Sequence, residues 1–111
     1  MTVTVQVLIP AKTAENAQTT QYTSTGVTTI IDKFTATNYS ASAATISVNL
    51  VTAADTAGNQ NLITKTKTLQ PSETYTFPEI VGQVLAASGF ISTIAGTASA
   101  INIRASGRVI T

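Results

Sequence analysis

Few side chains in this sequence of 111 residues could do chemistry. It contains no His and no Cys, so the commonest general base, the thiol nucleophile and the commonest metal ligands are missing. Glu73 and Glu79 are the nearest pair of carboxylates that could act as the acid and the base of glycoside hydrolysis. Both flank turn signals, where a carboxylate is normally exposed to solvent. We therefore expect no catalytic pair and no enzyme.

The loop at 55–61 has the oxygen-rich composition of a calcium-binding loop. It offers a single carboxylate, Asp55, and lacks the repeated Asp or Asn residues and the glycine position of an EF-hand. No serine stands in a nucleophile motif, and no glycine motif for phosphate is present. The sequence therefore predicts no catalytic residue, no metal site and no cofactor.

Charged residues make up only 10% of the chain, and six Lys and Arg against five Asp and Glu leave a net charge of +1. Soluble domains average about 25% charged residues, and a free small domain usually has a net charge of magnitude about 2–8. Neutral polar side chains must therefore cover most of the wet surface. Such a surface suits a subunit of a large assembly, and the small positive excess gives little reason to expect a nucleic-acid partner.

Nothing in the sequence directs the chain to a membrane. Residues 1–10 alternate in polarity without a basic leader, and no apolar run approaches the ~18 residues of a spanning helix. The absence of Cys agrees with folding in a reducing compartment. We expect synthesis in the cytoplasm of the producing cell and no membrane partner.

The composition favours β-structure, since 22 Thr, 11 Ile and 9 Val account for 42 of the 111 residues. These side chains branch at Cβ and fit a pleated sheet better than a helix. Alternating patterns and turn signals predict eight strands, at 3–9, 19–25, 27–38, 45–53, 62–69, 74–77, 90–94 and 100–110. The spacing at 78–87 favours a short helix or a tight corner. The prediction is an all-β single domain over 1–111, an antiparallel β-sandwich or jelly-roll-like barrel with at most one short helix.

Two local features sharpen this prediction. Asp32 interrupts the core-facing pattern of its strand, which indicates a nearby bulge or a hydrogen-bonded carboxylate. Lys65 and Lys67 share a strand and indicate a solvated face or a protected sheet edge.

The first strand is expected to place Val3, Val5, Val7 and Ile9 on one face, and to end at Pro10, which cannot donate to a sheet ladder. The first and last strands have few charges that would protect an edge. Either one, if it lies at an edge, offers an unpaired ladder to a neighbouring subunit; the alternative is that both are inner strands.

Two further features complete the candidate partner surface. Arg104 and Arg108 lie four residues apart on one strand face, ~13 Å from each other, and could bind acidic groups of a partner or remain solvated. Tyr39, in a turn, is the aromatic residue that we expect to be most exposed. The candidate partner-interface residues are Val3, Val5, Val7, Ile9, Tyr39, Arg104 and Arg108.

Four segments resemble the strand–turn–strand units of small virion proteins of tailed bacteriophages. They are 37–51 (TNYSASAATISVNLV), 69–75 (LQPSETY), 94–100 (IAGTASA) and 103–107 (IRASG), and together they span most of residues 28–108. The segment 88–90 (SGF) departs from the pattern, which would have Gly-Asp before the next strand. The resemblance is to small β-sandwich structural proteins, among them capsid decoration (cement or staple) proteins.

This resemblance implies a virion structural protein that binds and stabilises the major capsid protein shell. Its expected partners are other virion subunits, the major capsid protein above all, and further copies of itself in a dimer or trimer. The expected location is the virion, after assembly in the host cytoplasm. Two alternatives stay open: a neck, tail or fibre component, and a soluble carbohydrate- or receptor-binding β-sandwich module with an exposed aromatic cluster around Tyr39.

Overall fold

Nine β-strands account for most of the chain in a computed structural model that describes residues 1–111. The strands are β1 (Val3–Thr13), β2 (Thr19–Thr23), β3 (Thr28–Asn38), β4 (Ala44–Val51), β5 (Leu62–Leu69), β6 (Thr74–Tyr75), β7 (Val84–Leu85), β8 (Phe90–Ala95) and β9 (Ile101–Ile110). The only helical element is a 3₁₀ turn at Asn59–Asn61. All eight predicted strands are present, and β7 is the additional one.

The strands form two antiparallel sheets. Sheet A has the order β1-β9-β3-β6, with β7 on the same side of β3 as β6, and sheet B has the order β2-β8-β4-β5. If β6 and β7 are counted as two halves of one interrupted strand, the chain passes back and forth between two four-stranded layers. This is the winding of a jelly roll, so the predicted fold class is confirmed.

The space between the sheets is filled by one cluster of 20 buried hydrophobic residues. Ile side chains supply much of it, and two aromatic rings anchor it: Phe34 of β3 and Phe77 pack edge to face with centroids 4.6 Å apart. Because a strand alternates its side chains between two faces, the inward residues of both sheets meet here while most Thr and Ser residues face outward. Thr29 and Thr93 are exceptions and are fully buried. The few aromatic residues are therefore used mainly for the core.

The first strand differs from its prediction in two ways. Pro10 does not end β1, because it lies within the second register shift of this strand, between Ile9 and Lys12. Since β1 is an edge strand, the missing N–H of Pro10 breaks no hydrogen bond to a second neighbouring strand. The shift between Val7 and Ile9 also breaks the alternation, so Leu8 and Ile9 are both buried. Ile9 therefore does not share a face with the exposed valines before it.

The segment at 78–87 is the predicted corner and not a helix. The N–H groups of Ile80 and Val81 both bond to the carbonyl of Phe77, which makes a tight turn. Further along, Gly82 donates to the Ile31 carbonyl at 2.7 Å, so the corner docks on the edge of β3 between β6 and β7. Of the four apolar residues in this segment, Ile80 and Leu85, five positions apart, enter the core, whereas Val81 and Val84 are exposed.

Two bulges flank one glycine of β9. The register of β3 shifts between Ile31 and Lys33, opposite Gly107 and Ser106, which leaves Asp32 as the extra residue. The register of β1 shifts one residue further along β9, opposite Ser106 and Ala105. Gly107 lies between β1 and β3, and a Cβ there would meet the carbonyl oxygen of Ile30 at 2.0 Å. The predicted irregularity at Asp32 is confirmed, and this close approach of two backbones requires glycine.

Candidate functional site

The sandwich has four free sheet edges, and three of them are protected by recognisable means. The β6–β7 edge consists of two-residue strands separated by the corner, and β2 is a five-residue strand with a register shift. The β5 edge carries Lys65 and Lys67 and has its own register shift. Short strands, bulges and lysines are the usual ways to prevent edge-to-edge pairing. The prediction of a protected edge at the two lysines is thus correct.

The fourth edge, β1, is unprotected over its first half. Of the two terminal strands, β9 is an inner strand, whereas β1 pairs with β9 alone and leaves its other side open. Between Val3 and Val7 there is no charged residue, no proline and no register shift. The shifts, Pro10 and Lys12 all lie in the second half. We refer to the stretch Val3–Val7 as the open edge.

The backbone of the open edge directs alternate residues to solvent. Thr2 and Thr111 exchange both of their backbone hydrogen bonds, at 3.2 and 3.0 Å. In an antiparallel ladder such residues alternate with ones that point the other way, so Thr4 and Gln6 bond to β9 while Val3, Val5 and Val7 direct their N–H and C=O groups outward. The open edge therefore presents three donors and three acceptors.

The side chains of the same three valines are also exposed. Val5 has 81% of its surface accessible, Val3 52% and Val7 45%. Directly paired residues share a sheet face. The strand register therefore places Val5, Arg108, Ile30 and Val84 in one row across the outer face of sheet A, and three of these four residues are apolar. Val84, which is 57% exposed, ends the row. We call these residues, with Val3, Val7 and Ile110, the valine band.

The two arginines lie on this face as predicted, but in different electrostatic states. Arg108 donates from Nε and Nη2 to the two carboxylate oxygens of Asp32, each at 2.9 Å, and this holds the pKa of Asp32 below its ordinary value. Arg104 makes no ion pair; it lines an open depression of 410 Å³ with Val5, Val7 and Asp32. Of these two arginines, Arg108 is therefore already neutralised and Arg104 is free to bind an acidic group.

The remaining candidate residues lie elsewhere. Ile9 is fully buried, so its side chain cannot contact a partner. Tyr39 is exposed but lies at the opposite end of β1, where its hydroxyl is 3.2 Å from that of Thr13. It is the only one of the six aromatic residues that is exposed, so no aromatic cluster surrounds it.

Sequence reasoning missed Val84, Ile30 and the Asp32–Arg108 pair as parts of this surface. The helical spacing at 78–87 predicts that Val84 belongs to the corner, and no local pattern indicates that β7 pairs with Ile30. An Arg and an Asp on neighbouring strands can form an ion pair with two hydrogen bonds, and this possibility was the available signal. Using it requires the strand order, which the sequence does not show.

The two glutamates considered for catalysis have separate structural roles. The Glu73 carboxylate accepts the N–H of Gln70 at 2.8 Å and closes a turn. Partial burial pushes the pKa of Glu79 upward, but hydrogen bonds from Thr64 and Tyr75 outweigh it and hold that pKa below 4.5. The same bond to Glu79 raises the pKa of the Tyr75 phenol to about 12.

The loop at 55–61 is organised by hydrogen bonds instead of a cation. The Asp55 carboxylate accepts from the Thr56 N–H at 2.8 Å and from the side-chain amides of Gln60 and Asn61. A carboxylate that faces N–H donors is poorly arranged for a cation, which needs oxygen ligands around it. Nowhere in the chain do three potential metal-ligating side chains of His, Cys, Asp or Glu come together.

Comparisons with known proteins identify no relative: no protein-family model, no curated protein and no solved structure matches this chain. No helix in the structure has the length and apolar character needed to cross a membrane. The function is therefore argued from the open edge and the valine band, since a fold alone does not define a function.

Proposed function

We propose that this protein is a structural subunit of a bacteriophage virion, and specifically a capsid decoration protein that binds and stabilises the shell of the major capsid protein. The observation that carries the proposal is the valine band, an exposed apolar surface on the outer face of sheet A, next to the open edge of β1. An exposed apolar patch of this kind is typical of a surface that associates with another protein.

The chemistry of this surface favours a protein partner over a small substrate. The valine band is apolar apart from Arg108, which Asp32 neutralises. Two unpaired cations lie beside it on the same face, Arg104 and Lys33, the latter in one row with Ser106 and Val7. Such a surface can contact the neutral or weakly acidic face of another subunit by burial of apolar area and by one or two ion pairs. We place Val84 and Arg104 in direct contact with the shell.

The size of the band explains why an ordered shell is the natural partner. A fully buried Val contributes about 1.5 kcal/mol, so covering the four partly exposed valines contributes about 3–4 kcal/mol per copy. Association alone costs about 4–15 kcal/mol in lost freedom. One such contact is therefore weak, and it becomes stable when several contacts are formed at once on a repeating lattice.

A neck, tail or fibre subunit is the alternative within the same class, and copy number separates the two. A decoration protein is present in hundreds of copies per particle, whereas a neck or fibre protein is present in a few to tens. The carbohydrate-binding alternative has less support, because sugar stacking needs an aromatic platform and Tyr39 is exposed alone.

The test is to purify virions and to measure the amount of the 11.5 kDa polypeptide relative to the major capsid protein by quantitative mass spectrometry. Hundreds of copies support decoration, a few to tens support the neck or fibre alternative, and absence from the particle contradicts the proposal. In a matched binding assay, Val84→Lys should lower occupancy on undecorated shells, whereas Thr97→Lys, in the exposed turn between β8 and β9, should not.

A further inference from the structure

We infer that the open edge of β1 pairs with the open edge of a second copy of this chain, in antiparallel orientation, with the two-fold axis at Val5. The two five-stranded A sheets would join into one ten-stranded sheet. This inference goes beyond the proposed virion role and does not rest on it, because it is argued from β1 and its neighbours alone.

The backbone groups of the open edge specify the register. With the axis at Val5, Val5 faces its own copy, and Val3 faces Val7 of the second copy. Every outward N–H and C=O of the three valines then has a partner, which makes six backbone hydrogen bonds across the axis. An axis at Thr4 would place Val7 opposite Met1, outside the strand, and an axis at Gln6 would place Val3 opposite Ile9, beyond the bulge.

The side chains agree with the same register. Valines face valines on the outer face of the sheet, and Thr4 faces Gln6 on the other face, so apolar residues meet apolar ones and polar residues meet polar ones. β-branched residues in directly opposed positions are a favourable cross-strand pair. The sequence Val-Thr-Val-Gln-Val is therefore complementary to itself when it is reversed.

Electrostatics do not oppose the pairing. The open edge contains no charge, so the approach of two identical strands brings no like charges into opposition. The nearest cations are the two copies of Arg108, one strand behind Val5 on each side, roughly 14 Å apart across three strand spacings. Each is neutralised by its own Asp32 at 2.9 Å, which removes the repulsion between them.

The same features limit the assembly to two copies. Two register shifts, Pro10 and Lys12 end the pairable stretch of β1, so the second copy cannot slide further along the strand. Once β1 is paired, the outer edges of the joined sheet are the short, interrupted β6 and β7 strands. An isologous contact of this kind closes on itself and does not lead to a fibre.

The pairing also predicts a modest affinity. A contact between two five-residue edges is small beside the about 1,200–2,000 Å² that a typical stable interface buries. We therefore expect a micromolar dimer of the isolated protein. In the joined sheet the two valine bands become continuous across the axis, so the dimer would present twice the apolar surface of a single copy.

Sedimentation equilibrium of the full chain should show a monomer–dimer equilibrium. Variants with a single introduced cysteine test the register of the pairing, since the chain has no Cys of its own. Opposed residues that exchange hydrogen bonds have Cα atoms about 5.5 Å apart, within disulfide range. Oxidation should therefore cross-link Val5→Cys to itself. Val3→Cys and Val7→Cys should each remain uncross-linked alone, because like positions are about 14 Å apart, but should cross-link when mixed.

A backbone variant separates pairing from side-chain effects. Val5→Pro removes one outward N–H, which β9 does not use, and should weaken the dimer at least about tenfold while the circular dichroism spectrum stays unchanged. Val5→Thr keeps that N–H and the branched shape and should change the dissociation constant by less than about threefold. A wild-type monomer at millimolar concentration, or a Val3→Cys variant that cross-links alone, would overturn the inference.

Discussion

β1 and β5 are edge strands of the same sandwich, one in each sheet, and their free sides differ in charge and in regularity. The open edge at Val3–Val7 is regular and uncharged, with three exposed valines on one face. The β5 edge carries two of the six basic residues of the chain, and its middle residue, Thr66, has a positive φ of 41° at the register shift. An irregular, charged edge rejects a further strand, whereas a regular, neutral edge accepts one.

The difference is informative because this chain has so few charges to place. Lys67 lies with its Nζ 4.8 Å from the centre of the Tyr75 ring, and Tyr75 donates to Glu79, which also accepts from Thr64 of β5. Three of the eleven charged residues thus belong to the β5 edge and its support, and none lies on the open edge. The contrast between the two edges is what points to association through β1.

The largest effect is expected from Gly107→Ala, which breaks the support of the open edge. A Cβ at this position would lie 2.0 Å from the Ile30 carbonyl oxygen and 3.1 Å from Leu8, so β1, β9 and β3 would have to separate. We expect a loss of about 3 kcal/mol or more in the free energy of unfolding, measured by chemical denaturation. Gly26→Ala is a useful comparison: its site is open space but has a positive φ of 69°, so it should cost less. An unchanged midpoint for Gly107→Ala would contradict the close approach of these strands.

The second prediction concerns a variant in which the β5 edge is made neutral, like the open edge of β1. Replacing both Lys65 and Lys67 with Val removes the charges that protect this edge, so new concentration-dependent association should appear in light scattering. Lys33→Val serves as the control, because Lys33 is exposed, as Lys65 is, but lies on the inner strand β3. If the double variant associates no more than the control, the lysines do not protect the edge.

The third prediction concerns the pH dependence of the β5 support. The pKa of Glu79 is lowered in the folded state, so the contribution of Glu79 to stability is present above pH 4.5 and is lost as the pH falls through its folded-state pKa. The pKa of Tyr75 is raised to about 12, so the contribution of Tyr75 to stability is present below pH 10 and is lost as the pH rises from 10 to about 12. Glu79→Gln should reduce both dependences in denaturation measured across pH.

The control for this cluster is Glu73→Gln, which keeps an acceptor for the Gln70 N–H. In ultraviolet absorbance titration, Glu79→Gln should lower the pKa of the Tyr75 phenol toward its ordinary value of 10. Tyr75→Phe should remove the absorbance change whose pKa is about 12. If the high-pH component persists in Glu79→Gln, the carboxylate is not its cause.

The smallest effect on stability is expected from Asp32→Asn. The ion pair with Arg108 is solvent-exposed on both sides, so the thermal midpoint should be nearly unchanged. Dimer formation should respond more, since two unneutralised Arg108 residues would then face each other across the axis. We expect weaker self-association at low salt that recovers at high salt, measured by sedimentation. A loss of association that does not depend on salt would argue against this electrostatic cause.

Much of the fold follows from local patterns. β-branched residues in alternation and Gly- or Asn-rich turns place the strands, Asp32 marks its bulge, and Lys65 and Lys67 mark an edge. Local patterns do not predict which residues of β1 face the core, because the register shift before Ile9 reverses the alternation of inward and outward side chains. No residue in the sequence around Ile9 signals this shift. The partners of Val84 and Arg108 also depend on strand order, which links residues far apart in the chain.

The amino-acid sequence by itself determined that this chain is a β-sandwich without His or Cys and with few charges, because these properties depend on residue type and on short-range alternation. Only the tertiary structure decided which strands lie at the edges, since hydrogen bonds between distant segments set the strand order. The exposure of Val3, Val5 and Val7 beside a buried Ile9, and the neutralisation of Arg108, follow from that order.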